Sequence, residues 1–239
     1  MKYAGWILFF LLSMALNATP ILINEFNPNP YGPDANSQII EFSGLAHSET
    51  NHLSFFAIEA DNAASKGKID FLLHDFSLHF NELGLATLTI PDLENPSFSL
   101  FLSVSTSFVL GQDIDANNDG FWDDTWDGYL DSISIFDAAK DQRNTHYASQ
   151  LGGTDFFYTG TEPYLAFRDS VNNDWYALND PSDEMVFSSS GQRYHVNEFN
   201  LVPSLSTFEV TNPSRINQVS EPKLLVLWLI LWFIWYLRR

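Results

Sequence analysis

Leu85-Ala86-Thr87-Leu88-Thr89-Ile90 alternates apolar and small polar side chains. That is the pattern of a strand with one face buried and the other wetted, because successive side chains of an extended chain point to opposite sides. The sequence on both sides of this stretch has the same character: short apolar or alternating runs broken by Asn, Asp, Gly, Pro and Ser. Upstream, Ile21-Leu22-Ile23-Asn24-Glu25-Phe26 runs into Asn27-Pro28-Asn29-Pro30-Tyr31-Gly32-Pro33-Asp34. The prolines there deny backbone donors and the Asn and Gly favour turns, so a strand followed by a long loop is expected. Further strands are expected over 38–42, 53–59, 69–73, 98–104, 129–136, 164–168, 175–178 and 194–199. No stretch from 21 to 210 sustains a helical period; residues 137–150 come nearest and read as a short helix or an extended loop. The spacing predicts an all-β sandwich. One echo, Ile23-Asn24-Glu25-Phe26-Asn27 against Val196-Asn197-Glu198-Phe199-Asn200, reads as two similar strand ends without the flanking similarity of a duplicated domain.

The composition agrees with a folded body. Charged residues are 17% of the chain, while 21 Phe, 9 Tyr and 7 Trp supply ample material for a core. Eleven Lys+Arg against 30 Asp+Glu give a formal charge of −19, which repels phosphate backbones, so nucleic acid is not an expected partner. With no cysteine, disulfides, thiolate metal sites and Cys nucleophiles are excluded.

The most apolar stretches are at the two ends. Met1-Lys2-Tyr3 precedes an apolar run of eleven residues, 6–16, with small residues at Ala15 and Ala18. This order of charge, apolar core and small residues is that of a signal peptide, with cleavage after Ala18 or after Ala15. At the other end fourteen apolar residues, 224–237, lie between Lys223 and the terminal Arg238-Arg239. That is short for a span, but Lys223 can snorkel at one face and the arginines at the other, and the positive-inside rule places the arginines in the cytoplasm. The combination of Ser220-Glu221-Pro222, apolar helix and terminal basic pair resembles the PEP-CTERM sorting signal of Gram-negative bacteria, with Ser220 where Pro is usual. The resemblance implies recognition by an exosortase-type processing enzyme, anchoring in the inner membrane as a precursor, and then cell-surface or secreted location. The chain accordingly divides into a signal peptide (1–18), a sandwich domain (19–210), a linker (211–220) and a sorting segment with a transmembrane helix (221–239). Because the ends carry Lys2, Lys223, Arg238 and Arg239, the processed body is more acidic than the precursor.

The body also resembles bacterial lamin-tail domains. The opening Ile21 to Pro30 followed by Gln38-Ile39-Ile40-Glu41-Phe42 is similar to that family's "INE" and "(W/Y/F)IEL" strands. The segment 108–120 with Leu130-Asp131-Ser132-Ile133 is similar to its "GND…DADGDG…LDSV" region, and Thr211-Asn212-Pro213-Ser214-Arg215-Ile216-Asn217 to its closing "TPGxxN". Phe42 stands where Leu is usual, and Ser43-Gly44-Leu45 where the family has a Trp-containing turn. The resemblance implies an immunoglobulin-like sandwich that binds or displays and is not itself an enzyme.

The densest chemistry is in residues 113–127, which hold six Asp and two Asn. With Asp115 as position 1, Asn117 falls at 3, Asp119 at 5, Gly120 at 6, the Phe121 carbonyl at 7 and Asp123 at 9, the first nine places of a calcium loop. Alternate residues of such a loop turn oxygens toward one hard cation, whose binding relieves their repulsion. At position 12 Trp126 replaces the bidentate acid, and Asp124 or Asp127 could serve instead. The expected metal residues are therefore Asp115, Asn117, Asp119, Phe121, Asp123 and Asp127, with Ca2+ as the cofactor. An acidic hairpin loop with an Asp-Gly turn and no ion is the other reading.

The six histidines show no metal signature, and no HExxH, Gly-x-Ser-x-Gly or phosphate loop occurs. No second carboxylate stands out in an apolar setting to complete a glycosidase pair. Trp122, Trp126, Tyr158 and Trp175 could line a sugar-binding face or pack within the fold. The expected function is that of a non-catalytic exported surface or matrix protein, with exopolysaccharide as a candidate partner. A secreted carbohydrate-binding or carbohydrate-active protein is the alternative.

Overall fold

The computed structural model describes residues 19–30, 36–62, 64–93, 97–104, 107–123, 126, 128–136, 145–156, 163–203 and 206–216. The expected signal peptide and sorting segment, with Ser220, Glu221, Pro222, Arg238 and Arg239, lie outside them. Among the described residues no helix is long and apolar enough to cross a membrane.

Among the described residues twelve strands form: β1 (Leu22–Phe26), β2 (Ser37–Ser43), β3 (Glu49–Glu59), β4 (Ile69–His79), β5 (Leu85–Pro91), β6 (Phe98–Val104), β7 (Tyr129–Ile135), β8 (Thr154–Asp155), β9 (Leu165–Arg168), β10 (Trp175–Leu178), β11 (Met185–Ser188) and β12 (Arg193–His195). A seven-stranded sheet runs β12-β11-β10-β9-β1-β2-β5 and a five-stranded sheet β4-β3-β6-β7-β8. Pairing is antiparallel throughout except between β7 and β8. The described residues are all-β, in two sheets, as the alternating runs predict.

The core lies between the sheets. Ile23, Phe26, Ile40, Phe42 and Trp175 from one sheet meet Phe55, Leu100, Leu102 and Ile133 from the other. The outer faces are covered as well, which explains strands that are apolar on both sides. On the five-stranded sheet Phe56, Ile58 and Phe101 point away from the main core into a second cluster with Phe108, Ile114 and Tyr147. On the seven-stranded sheet Leu165, Phe167, Tyr176 and Val186 pack with Phe199. Each fully buried Phe or Leu side chain contributes about 1.5–3 kcal/mol over an exposed one, so the loops that supply these covers are part of the stable body.

The structure departs from the sequence expectations at several places. The β3/β4 hairpin extends at its open end through residues 49–52 and 74–79, with irregular register in which His52 and Asp75 adopt left-handed φ of 59° and 53° and meet at 2.7 Å. On β4 the alternation continues there, with Leu78 in the main core and Phe76 packed against it, while residues 49–52 of β3 bring only polar side chains to the ladder. Two strands had no periodic signal: β8 is only two residues long, and β11 lies between Asp-rich and Ser-rich turns. The second copy of the echo is not a strand end. Val196–Glu198 is a 3-10 turn, because the His195 side chain accepts from the Asn197 amide and Glu198 reaches back to the His195 amide. Finally, residues 211–216, expected to open a linker, are packed onto the body. Asn212 and Ser214 are buried, and Arg215 bridges Phe199.

Candidate functional site

The acidic loop leaves β6 and crosses the outer face of the five-stranded sheet. Ile114 anchors it by insertion into the outer cluster, where Phe56, Phe101, Phe108, Trp122 and Trp126 form a network of ring contacts 5.2–6.1 Å apart. The next residue, Asp115, is pulled under the loop and is completely buried. Its fit depends on Gly67 in the β3/β4 connection, where a Cβ would lie 2.8 Å from the Asp115 Cβ at a φ of +81°. The Gly67 carbonyl accepts from the Ile114 amide at 2.8 Å, fixing the approach.

Around Asp115 the loop closes on itself. Asp115 Oδ2 accepts from the Gly120 amide at 3.0 Å and from the Tyr147 hydroxyl at 2.8 Å. Burial, the hydrogen bond to Asp115 and that carboxylate's charge all hold the Tyr147 hydroxyl above its ordinary range, so it stays a donor. Asn117 Oδ1 accepts from the Asp119 amide, Asp119 Oδ1 from the Phe121 amide, and Asp119 Oδ2 from Asn117 Nδ2, at 2.9–3.0 Å. Asp123 closes the ring: its Oδ2 accepts from the Ala116 amide and its own amide donates to the Ile114 carbonyl, both at 2.8 Å. Gln150 ties the far side down by accepting from the Trp122 amide and donating to the Gly120 carbonyl. Gly120 adopts φ +86°, the left-handed turn expected at position 6.

Of the expected ligands, the structure thus brings Asp115, Asn117, Asp119, Phe121 and Asp123 into one closed loop, while Asp127 lies outside the described residues. They are not gathered about a point: among the described residues no three His, Asp or Glu side chains converge at metal distance. Asn117, Asp119 and Asp123 are exposed and satisfy neighbouring amides. One group fits a cation better than it fits the loop as folded. Asp115 Oδ1 is buried without a hydrogen-bond partner, which is costly for a carboxylate oxygen unless a cation or donor meets it.

Three of the four aromatic residues considered for sugar binding, Trp122, Trp126 and Trp175, are used in packing. Trp175 is buried in the main core against Phe26. Trp122 and Trp126 stack at 5.6 Å and 8° within the outer cluster, and Tyr158 lies outside the described residues. The expectation that no second acid stands in an apolar setting is overturned. Glu25 on β1 and Glu41 on β2 are cross-strand partners, and both are fully buried. Burial, and for each the charge of a neighbouring glutamate, raises both carboxyls to about 7, against the pull of their hydrogen bonds. Their signal was a single acid inside each of the apolar runs Ile23-Asn24-Glu25-Phe26 and Ile39-Ile40-Glu41-Phe42. The pair does not open into a cleft, because residues 207–209 lie against it through the Thr207 and Glu209 amides.

No family model, curated protein or solved structure matches this chain.

Proposed function

We propose that this chain is a non-catalytic exported module of the cell surface or matrix: an immunoglobulin-like, lamin-tail-like sandwich that is sorted through Ser220-Glu221-Pro222 and takes calcium at the Asp115 loop. The observation that carries the calcium reading is the buried, unpartnered Asp115 Oδ1 under a closed loop of oxygen-bearing residues. A cation there would meet an oxygen that the protein leaves unsatisfied. Asn117, Asp119, Asp123 and the Phe121 carbonyl are the residues of the loop that could complete its shell. An extracellular module needs an affinity of only about 10⁻⁴–10⁻³ M for such a site. The role in binding or display is supported by what the fold does with its acids. The buried pair Glu25 and Glu41 is sealed under a segment of chain, while the acidic loop is presented on the surface. The sorting reading rests on the C-terminal sequence.

The test is thermal unfolding with calcium and with chelator. At a calcium concentration of about 100 times Kd the bound state gains roughly 2.7 kcal/mol, so the melt shifts upward, and Asp119→Ala removes the shift. Coincident melts in the two buffers would end the calcium reading.

A further inference from the structure

The segment from 206 to 212 is not a strand of either sheet, yet it is tied to the outer face of the seven-stranded sheet by buried side chains. An irregularity in the β1/β2 register between Ile23 and Glu25 sets Asn24 and Glu25 together opposite Glu41. Over this patch Thr207, Phe208, Glu209 and Val210 form a turn closed by the Val210 amide on the Thr207 carbonyl at 2.9 Å. Glu209 holds a left-handed φ of 66°. The turn aims its amides at the two glutamates: Thr207 N donates to Glu25 Oε1 at 2.6 Å, and Glu209 N donates to Glu41 Oε2. Asn24 Nδ2 donates to Glu41 Oε1 at 2.7 Å.

Counting protons in this cluster decides the charge of Glu25. The Thr207 hydroxyl lies 2.5 Å from Glu25 Oε2 and 2.8 Å from Asn212 Oδ1. Asn212 cannot present its amide nitrogen to Thr207 instead, because Nδ2 already donates to the Arg168 carbonyl at 2.9 Å and the Asn24 carbonyl at 3.2 Å. A hydroxyl has one proton to give. If it goes to an ionised Glu25, the hydroxyl and Asn212 Oδ1 face each other as two acceptors. If Glu25 carries a proton, the chain Glu25 O–H to Thr207 Oγ1 and Thr207 O–H to Asn212 Oδ1 is complete. The surroundings favour the same state. Glu41 is the cross-strand neighbour, Glu209 adds a further acid and is held by Thr87 of β5 at 3.3 Å, and the Tyr164 hydroxyl before β9 is uncharged. Arg168 contributes only its carbonyl on this side, its guanidinium being engaged with Asp131 and the Ile23 carbonyl. Among the described residues no cation pairs with Glu25 or Glu41.

We propose that residues 206–212 are a proton-operated clasp: a proton on Glu25 closes the strap onto β1 and β2, and its loss places two adjacent buried carboxylates under the strap and releases it. The direction follows from linkage. Closed, the pair holds its proton up to about 7; open and solvated, the carboxyls return toward 4.5. The closed state therefore binds the extra proton between those values, and closure weakens as pH rises through that window and then levels off.

The experiment is hydrogen exchange of the full chain in detergent, corrected for intrinsic rates. Protection of the Thr207 and Glu209 amides should fall roughly 40-fold from about pH 5 to about pH 7, the slope flattening at both ends of the window, while β3 and β6 amides keep theirs. Glu25→Gln, whose amide can accept from Thr207 N and donate to Thr207 Oγ1, should stay closed at both pH values. Equal wild-type protection at both, or an undiminished pH response in E25Q, would overturn the proposal. Should E25Q not fold, the carboxyl ¹³C shifts of the wild type decide. Midpoints near 7 for the Glu25/Glu41 pair support the clasp, and midpoints in the ordinary carboxylate range refute it.

Discussion

Asp131 of β7 and Arg168 of β9 meet across the core at 2.7 Å, joining the five-stranded sheet to the seven-stranded one. One guanidinium nitrogen donates to both Asp131 oxygens, Arg168 Nε donates to the Ile23 carbonyl, and the Ile23 amide donates to Asp131 Oδ2. The guanidinium lies 4.6 Å from the Trp175 ring centroid. Three strands are thereby fixed in mutual register by one buried, fully hydrogen-bonded pair.

Removing one partner leaves the other charge uncompensated in the core. Asp131→Ala should destabilise the body by about 3–5 kcal/mol, and a double replacement of Asp131 and Arg168 by apolar residues of similar volume should cost less than that single change. Denaturant unfolding of the three proteins checks the order; a mild single mutant would show the pair to be solvated.

Tyr147 supports the acidic loop from beneath. Tyr147→Phe takes away the hydroxyl donor to Asp115 Oδ2 and leaves a buried carboxylate with one partner fewer. The expected cost is about 1–3 kcal/mol without calcium. If the ion neutralises Asp115, part of that loss should return in its presence. The same deficit with calcium and with chelator would separate the tyrosine's role from the ion.

The sorting reading predicts a processed C-terminus. Intact-mass measurement of the protein from membranes and medium of the native cell should find the segment from Lys223 onward missing. Recovery of Arg238-Arg239 in the mature protein would leave the chain anchored and unprocessed.

Much of the strand content was legible in the chain because a period of two survives wherever one face of a strand is buried. The run 85–90 falls within β5 on that signal, while 98–104 and 175–178, buried on both faces, coincide with β6 and β10 as continuous runs. The polar start of β3 was not legible, since residues 49–52 have no apolar side chain and are held by pairing with β4. The acidic loop could be found from spacing alone, but which of its oxygens is buried could not. Asp115 is covered because Ile114 beside it enters the outer cluster and Gly67, far back in the sequence, leaves room.

By itself the sequence determined the all-β class, the two apolar ends and the place of the acidic loop, all of which follow from residue type and local spacing. The tertiary structure alone decided which acids matter. Glu25 looks like any strand glutamate until Thr207, 182 residues away, lies over it, and Asp131 looks like one of many until Arg168 reaches it. Both outcomes depend on burial and on partners supplied from distant parts of the chain. Desolvation and hydrogen-bond geometry, which set a carboxyl's charge, exist only once those parts have come together.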